Sequence, residues 1–202
     1  MKDSDDAKDS PGKNATTDEY ILAVTVGERK PLNSTIYLAP YNPDWPIQFS
    51  LQANRIRDAL GDKVLLIEHV GSTSVPGLSA KPIIDMVLTV SNSADEPSYV
   101  PPLEEQGFVL RIREPDWFEH RLLKAPGIDG NLHVFSVGCE EIDRMLVFRD
   151  WLRMHDDDRR LYEETKRELA ARTWTYTQNY ADAKSEVVQE ILARALPSIA
   201  RS

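Results

Sequence analysis

The sequence predicts an α+β fold, a mixed β-sheet with flanking helices followed by a helical C-terminal third. Short runs rich in Val and Ile at 64–70 and 83–90 have strand length and are separated by the breakers Gly71, Pro76 and Gly77. Three more strand-like runs follow at 108–113, 118–124 and 132–137. From Glu140 onward the apolar period changes from two to about 3.6. Because strands and helices do not alternate strictly, the pattern does not describe a regular βαβ repeat.

In chain order, residues 1–33 read as a flexible N-terminal tail and 34–197 as one folded domain. The start is rich in Asp, Ser, Lys, Asn and Thr without apolar periodicity, so it cannot offset the entropy of ordering. "YILAVTV" at 20–26 fits either a short strand or a segment lying on the domain. Residues 36–39 read as a strand. Asp44 and Pro46 then open a helix in which Phe49, Ala53, Ile56 and Leu60 recur at helical spacing, and Gly61 closes it. "PSYVPPLEEQG" is a short helix with Pro101 and Pro102 near its start and Gly107 at its end. The turn-like "APGIDGN" makes a hairpin of 118–124 and 132–137. Three C-terminal helices are marked by Ile142, Met145, Leu146 and Leu152, by Leu161, Thr165 and Leu169, and by Val187, Val188, Ile191, Leu192 and Ala195.

The chain has 202 residues, with 33 acidic against 24 basic and a formal net charge of -9, so no long-range field draws in nucleic acid or an anionic membrane. Any phosphate site must be local. One cysteine, Cys139, cannot make an internal disulfide, and the polar start lacks the apolar core of a signal peptide, so the expected location is cytoplasmic. The sequons at Asn14 and Asn33 are then chance matches. No apolar run approaches the roughly 20 residues of a membrane span.

The most informative stretch is "HVGSTSVPGLSAKPIIDMVLTV", residues 69–90. It is not a P-loop, because five residues separate Gly71 from Gly77 and Leu78 stands where the lysine would be. The spacing resembles the nucleotidyltransferase superfamily pattern: Gly71-Ser72, twelve residues, then Asp85 on a strand. In that chemistry glycine lets the backbone approach a phosphate, a serine donates to it, and strand carboxylates hold magnesium. Only half of the second part is present. Alternation puts residue 87 on the same face as Asp85, and residue 87 is Val. A second acid would have to come from elsewhere, with Glu68, Glu114, Asp116 and Glu119 as candidates.

Together with "PYNPDWPIQF", "NLHVF", "FRDWLRMH" and "YADAKSEVV", that stretch closely resembles the GrpB family over about residues 36–196. The resemblance implies a nucleotidyltransferase-like mixed sheet, and the family also occurs fused behind dephospho-coenzyme A kinase. It marks His69, Gly71, Ser72, Thr73, Ser74, Lys81 and Asp85 around the loop and His133 on a later strand. It also marks Arg149, Lys166, Tyr180 and Lys184 in the helical part. The roles that follow are Asp85, His69 and His133 as catalytic groups, with Mg2+ at Asp85. Gly71, Ser72, Thr73, Ser74, Lys81, Arg149, Lys166, Tyr180 and Lys184 would hold a nucleotide or other phosphorylated small molecule.

Two functions stay open at this level: a magnesium-dependent nucleotidyltransferase, and a non-catalytic nucleotide-binding or accessory module linked to coenzyme A metabolism. His120 reads as a polar strand edge and His155 as a helix end. The run "DDDRR" at 156–160 reads as acidic residues favoured at a helix start, and the four tryptophans as packing. Cys139 lacks a base partner.

Overall fold

The computed structural model describes residues 17–28 and 31–199. Its sheet has five strands, β1 (Leu66–Val70), β2 (Ile84–Val90), β3 (Val109–Glu114), β4 (His120–Lys124) and β5 (Gly130–Ser136), in the order β1-β2-β5-β4-β3. The β2–β5 pair is parallel and the other three pairs are antiparallel. The helices are α1 (Asp18–Val24), α2 (Trp45–Leu60), α3 (Val100–Glu105), α4 (Glu140–Met154), α5 (Asp156–Ala170), α6 (Thr177–Asp182) and α7 (Ser185–Ile199). The predicted α+β class is what the chain adopts.

The strand alternation divides the core. Ile84, Met86, Leu88 and Val90 of β2 join Leu123, Leu132 and Val134 beneath α2 and α3. Val87 points to the other face, where it is fully buried with Val70, Phe135 and Ile142 of α4. A third cluster joins Val75 and Leu78 of the loop between β1 and β2 to Leu152, Tyr162, Val187 and Ile191. The C-terminal helices therefore pack on the loop as much as on the sheet.

Several expectations change. Residues 36–39 are extended but form no sheet strand. The segment makes isolated bridges at Ser34 to Trp174 and Ala39 to Ala80, because Ile36 is drawn against Leu169, Ala170 and Tyr180 of the helical layer. The tail expected over 1–33 is ordered in part. Thr17 caps α1, Ile21 is buried, and Val26 donates to the Arg111 carbonyl at 2.7 Å alongside β3. Two turns of helix with one buried isoleucine repay ordering only because β3 offers an open edge. Residues 1–16 of that tail lie outside the described residues. The "YILAVTV" segment is thus helix followed by a bridge to β3. The helix signal at Asp44 holds, although the Asp44 side chain does not cap; its amide donates to Asn42 Oδ1 at 2.9 Å. No helix among the described residues is long and apolar enough to cross a membrane.

Candidate functional site

The loop from Gly71 to Ile83 is held from three sides. Gly71 has φ of +69°, and a Cβ built there would lie 2.7 Å from Asp85 Oδ2, so only glycine lets the loop pass the carboxylate. Ser74 Oγ donates to the Gly71 carbonyl at 2.6 Å, and Thr73 Oγ1 donates to the Ile83 carbonyl at 3.0 Å. Since the Thr73 proton is used there, His69 Nε2, 3.0 Å away, is the donor to Thr73 Oγ1. His69 is buried, stacks on Phe49 at 5.0 Å and is pushed down to about 4 by desolvation, so it is neutral near pH 7. Arg149 and Arg153 of α4 clamp the same loop from outside. Arg149 donates to the His69 carbonyl, Glu68 and Asp150, and Arg153 donates to the Ser74 carbonyl at 2.8 Å.

Between this loop, the start of β2 and the α5–α7 helices lies a cleft of about 70 Å³ whose walls include Ser72, Thr73, Lys81, Asp85, Asn131, Lys166, Tyr180 and Lys184. Lys166 is 1% exposed; it donates to the Ser79 carbonyl and lies 4.9 Å from the Tyr162 ring centroid. Lys81 and Lys184 stand over the Tyr180 ring, at 5.3 and 4.7 Å. Among the described residues none of the three ammonium groups sits in a carboxylate salt bridge. Desolvation, reinforced by the neighbouring Lys184, lowers Lys166 to about 7 and Lys81 to about 8. Desolvation also lowers Lys184 to about 8, against the pull of Asp85 and Asp182. The Tyr180 hydroxyl is buried without a hydrogen-bond partner, and Ser72 hydrogen-bonds Tyr162.

Asp85 is held well below the usual carboxylate range. Burial opposes this, but His133, the Asn131 amide and Lys81 together prevail. Asn131 Nδ2 donates to its Oδ1 at 2.7 Å, and His133 Nε2 lies 3.9 Å from the same oxygen.

The donor set does not suit magnesium. Magnesium takes near-octahedral oxygen ligands, whereas Asp85 offers one carboxylate with an oxygen already engaged by Asn131. Three ammonium groups share the cleft. Among the described residues no group of three or more His, Cys, Asp and Glu is arranged to hold a metal ion. Glu68 is ion-paired to Arg149, Glu119 to Arg121, and Glu114 hydrogen-bonds His120 on β4, so none of these candidate second acids joins Asp85.

Seven of the residues marked in the sequence therefore meet at one cleft: Ser72, Thr73, Lys81, Asp85, Lys166, Tyr180 and Lys184. Gly71 borders it through Asp85. His69, Ser74 and Arg149 stand behind the loop and hold its shape. His133 is one strand over. Asn131 was not singled out, although it shares a strand face with His133 two residues on, a signal present in "NLHVF". Arg153 and Tyr162 had no comparable signal. His120, read as a strand edge, is buried between β3 and β5.

A mixed sheet with a glycine-gated carboxylate and lysines supplied by the C-terminal helices defines the class: an α+β domain with a cationic cleft at the head of a central strand. The chain belongs to the GrpB family, whose description, GrpB protein, matches residues 35–194. It is 60% identical over 188 residues to a UPF0157 protein of Halalkalibacterium halodurans, covering 93% of this chain and 96% of that one. A crystal structure of a GrpB protein from Enterococcus faecalis superposes with a TM-score of 0.71 at 30% identity, covering 81% of this chain and 99% of the other. A protein named dephospho-CoA kinase from Mycolicibacterium paratuberculosis is 28% identical over 202 residues, covering 86% of this chain but 49% of its own length.

Proposed function

We propose that the cleft binds the terminal phosphate of a nucleotide or other phosphoester, held by Lys81, Lys166 and Lys184 together with Ser72. The observation that carries this is Lys166, a buried ammonium with no carboxylate partner among the described residues. Burying such a charge is costly unless an anion meets it. Three ammonium groups against Asp85 leave two positive charges when all are protonated, the charge of one phosphoester dianion. The cleft, at about 70 Å³, is far below the roughly 300–1,000 Å³ that encloses a whole small molecule. It takes one anionic group, and the rest of the ligand lies outside. Lysines occupy the place of the metal, so binding proceeds without magnesium.

Calorimetric titration of the full chain with inorganic phosphate and a panel of nucleotides and coenzyme A precursors, with magnesium or with chelator, tests this. Binding is expected in both media and is lost in Lys166→Met. Affinity falls as pH rises from 7 towards 9, because Lys166 and then Lys81 and Lys184 lose their protons over that range. Binding that needs magnesium, or that survives Lys166→Met, sinks the proposal.

A second reading, an accessory module of coenzyme A metabolism, is favoured by the dephospho-CoA kinase relative of which this chain spans about half. Under it, coenzyme A precursors are the compounds in the panel that bind.

A further inference from the structure

A line of polar side chains crosses the sheet from its buried far side to the cleft. Glu114 ends β3, His120 opens β4, His133 is in β5 and Asp85 in β2, one residue from each of four consecutive strands. Strand register produces the line. Glu114 pairs directly with His120, while Leu122 is the partner of His133 and Val87 lies opposite His133 on the other side. His120 and Asp85, each two residues from those partners, are diagonal neighbours of His133 on the same sheet face. Glu114 Oε2 lies 2.7 Å from His120 Nδ1, and His120 Nε2 lies 3.0 Å from His133 Nδ1. Tyr20 of α1 donates to Glu114 Oε1 at 3.1 Å.

The buried end sets the direction of the chain. A carboxylate accepts, so His120 donates from Nδ1 and its Nε2 is left to accept from His133 Nδ1–H. His133 Nε2 then carries a lone pair, at the end of the line nearest Asp85. Glu114 and His120 are each 3% exposed, and His120 is packed between Phe135 at 4.8 Å and Trp117 at 5.2 Å, which fixes its ring and keeps water away. His133 keeps partial exposure.

We propose that His133 is the acid–base residue of the phosphoester cleft, with His120 and Glu114 as positioning residues that hold its Nε2 free to accept a proton. The proposal rests on the phosphoester reading. A hydroxyl oxygen, of water or of an acceptor, gives its proton to His133 Nε2 as it forms a bond to the phosphorus held by the lysines. The bond from phosphorus to the leaving oxygen breaks with its electron pair on that oxygen, beside the ammonium groups. The new imidazolium faces Asp85 and shares its Nδ1 proton with His120, which donates in turn to Glu114. The proton on Nε2 is afterwards lost to solvent.

The test compares the full-length wild type, Glu114→Gln and His120→Phe in three measurements: nitrogen NMR of the His133 tautomer, the dissociation constant of inorganic phosphate, and kcat on nitrophenyl phosphomonoesters, nitrophenyl phosphodiesters and nucleoside triphosphates. Glu114→Gln keeps the shape of the carboxylate and covers the case in which His120→Phe fails to fold. The wild type is expected to hold His133 as the Nδ1–H form and to turn over at least one ester class. In the variants kcat falls about a hundredfold, phosphate affinity stays within about twofold, and the tautomer shifts towards Nε2–H. Unchanged kcat in variants whose tautomer has shifted overturns the acid–base role, as does a wild type that binds phosphate but cleaves none of the esters. If phosphate does not bind at all, the cleft reading fails; His133 found as Nε2–H in the wild type overturns the relay independently of that result.

Discussion

Gly71 and His69 show how little freedom single residues have around the cleft. Gly71 combines a positive φ, in a region that only glycine populates readily, with the close approach of Asp85. Gly71→Ala is expected to cost about 1–3 kcal/mol in urea unfolding, the usual cost of a strained backbone, and to weaken phosphate binding by pushing Asp85 aside. His69 makes stability depend on acid. Its pKa drops from 6.5 to about 4 on folding, so the unfolded chain binds the extra proton as pH falls between those values. Stability is complete above 6.5 and is lost as pH falls towards 4, by about 3 kcal/mol from this group at ~1.4 kcal/mol per unit. Urea unfolding of wild type and His69→Asn at pH 7 and pH 4.5 checks this. The variant is expected to be the less stable at pH 7 and to lose less on acidification.

At the scale of elements, β2 decides which chemistry the cleft can do. Its alternation sends Asp85 to the cleft and Val87, two residues on, to a dry cluster with Val70, Phe135 and Ile142. A carboxylate at 87 would be covered by α4 with no water to solvate it. Val87→Asp, which restores the spacing of a metal-binding pair, is expected to lose more than about 3 kcal/mol, as buried unpaired charges do. Thermal melts with and without magnesium check it, and recovery of the melting temperature by magnesium would show that the strand can host a metal after all. The α4 helix complements β2. Arg149 and Arg153, four residues apart on one helix face, both reach carbonyls of the β1–β2 loop or its approach. Arg149, which the family resemblance assigns to phosphate, is committed to that clamp and to two carboxylates.

Across the whole molecule, two core clusters on opposite sides of the cleft have different consequences for binding. Ile191 of α7 packs with Val75 and Leu78 of the loop, whereas Ile56 of α2 belongs to the core beneath the other sheet face. Both are fully buried, so Ile191→Ala and Ile56→Ala are each expected to cost about 2–5 kcal/mol. They separate in ligand affinity measured where both are folded. Ile191→Ala loosens the wall that carries Ser72 and Lys184 and weakens phosphate binding, while Ile56→Ala leaves it near wild type. Equal effects on affinity would show that the C-terminal layer does not position the cleft.

The sequence by itself determined the α+β class, the five strand regions, the three long C-terminal helices and the isolated Asp85 beside Gly71, because these rest on short-range periodicity and turn chemistry. The resemblance carried by its motifs also marked the lysines that meet at the cleft. Only the tertiary structure decided the rest. The short α6 helix, Thr177–Asp182, has too few residues for a period to show. Residues 36–39 have strand composition, but their partners are helix ends. His120 looks like a solvated edge because a polar residue in an alternating strand reads the same whether its face is open or covered. The strand order puts β4 between β3 and β5, and register then brings Glu114 and His133 to either side of it. That order joins strands distant in sequence, so no local pattern encodes it, and the physical environment of each histidine follows from the order rather than from its neighbours in the chain.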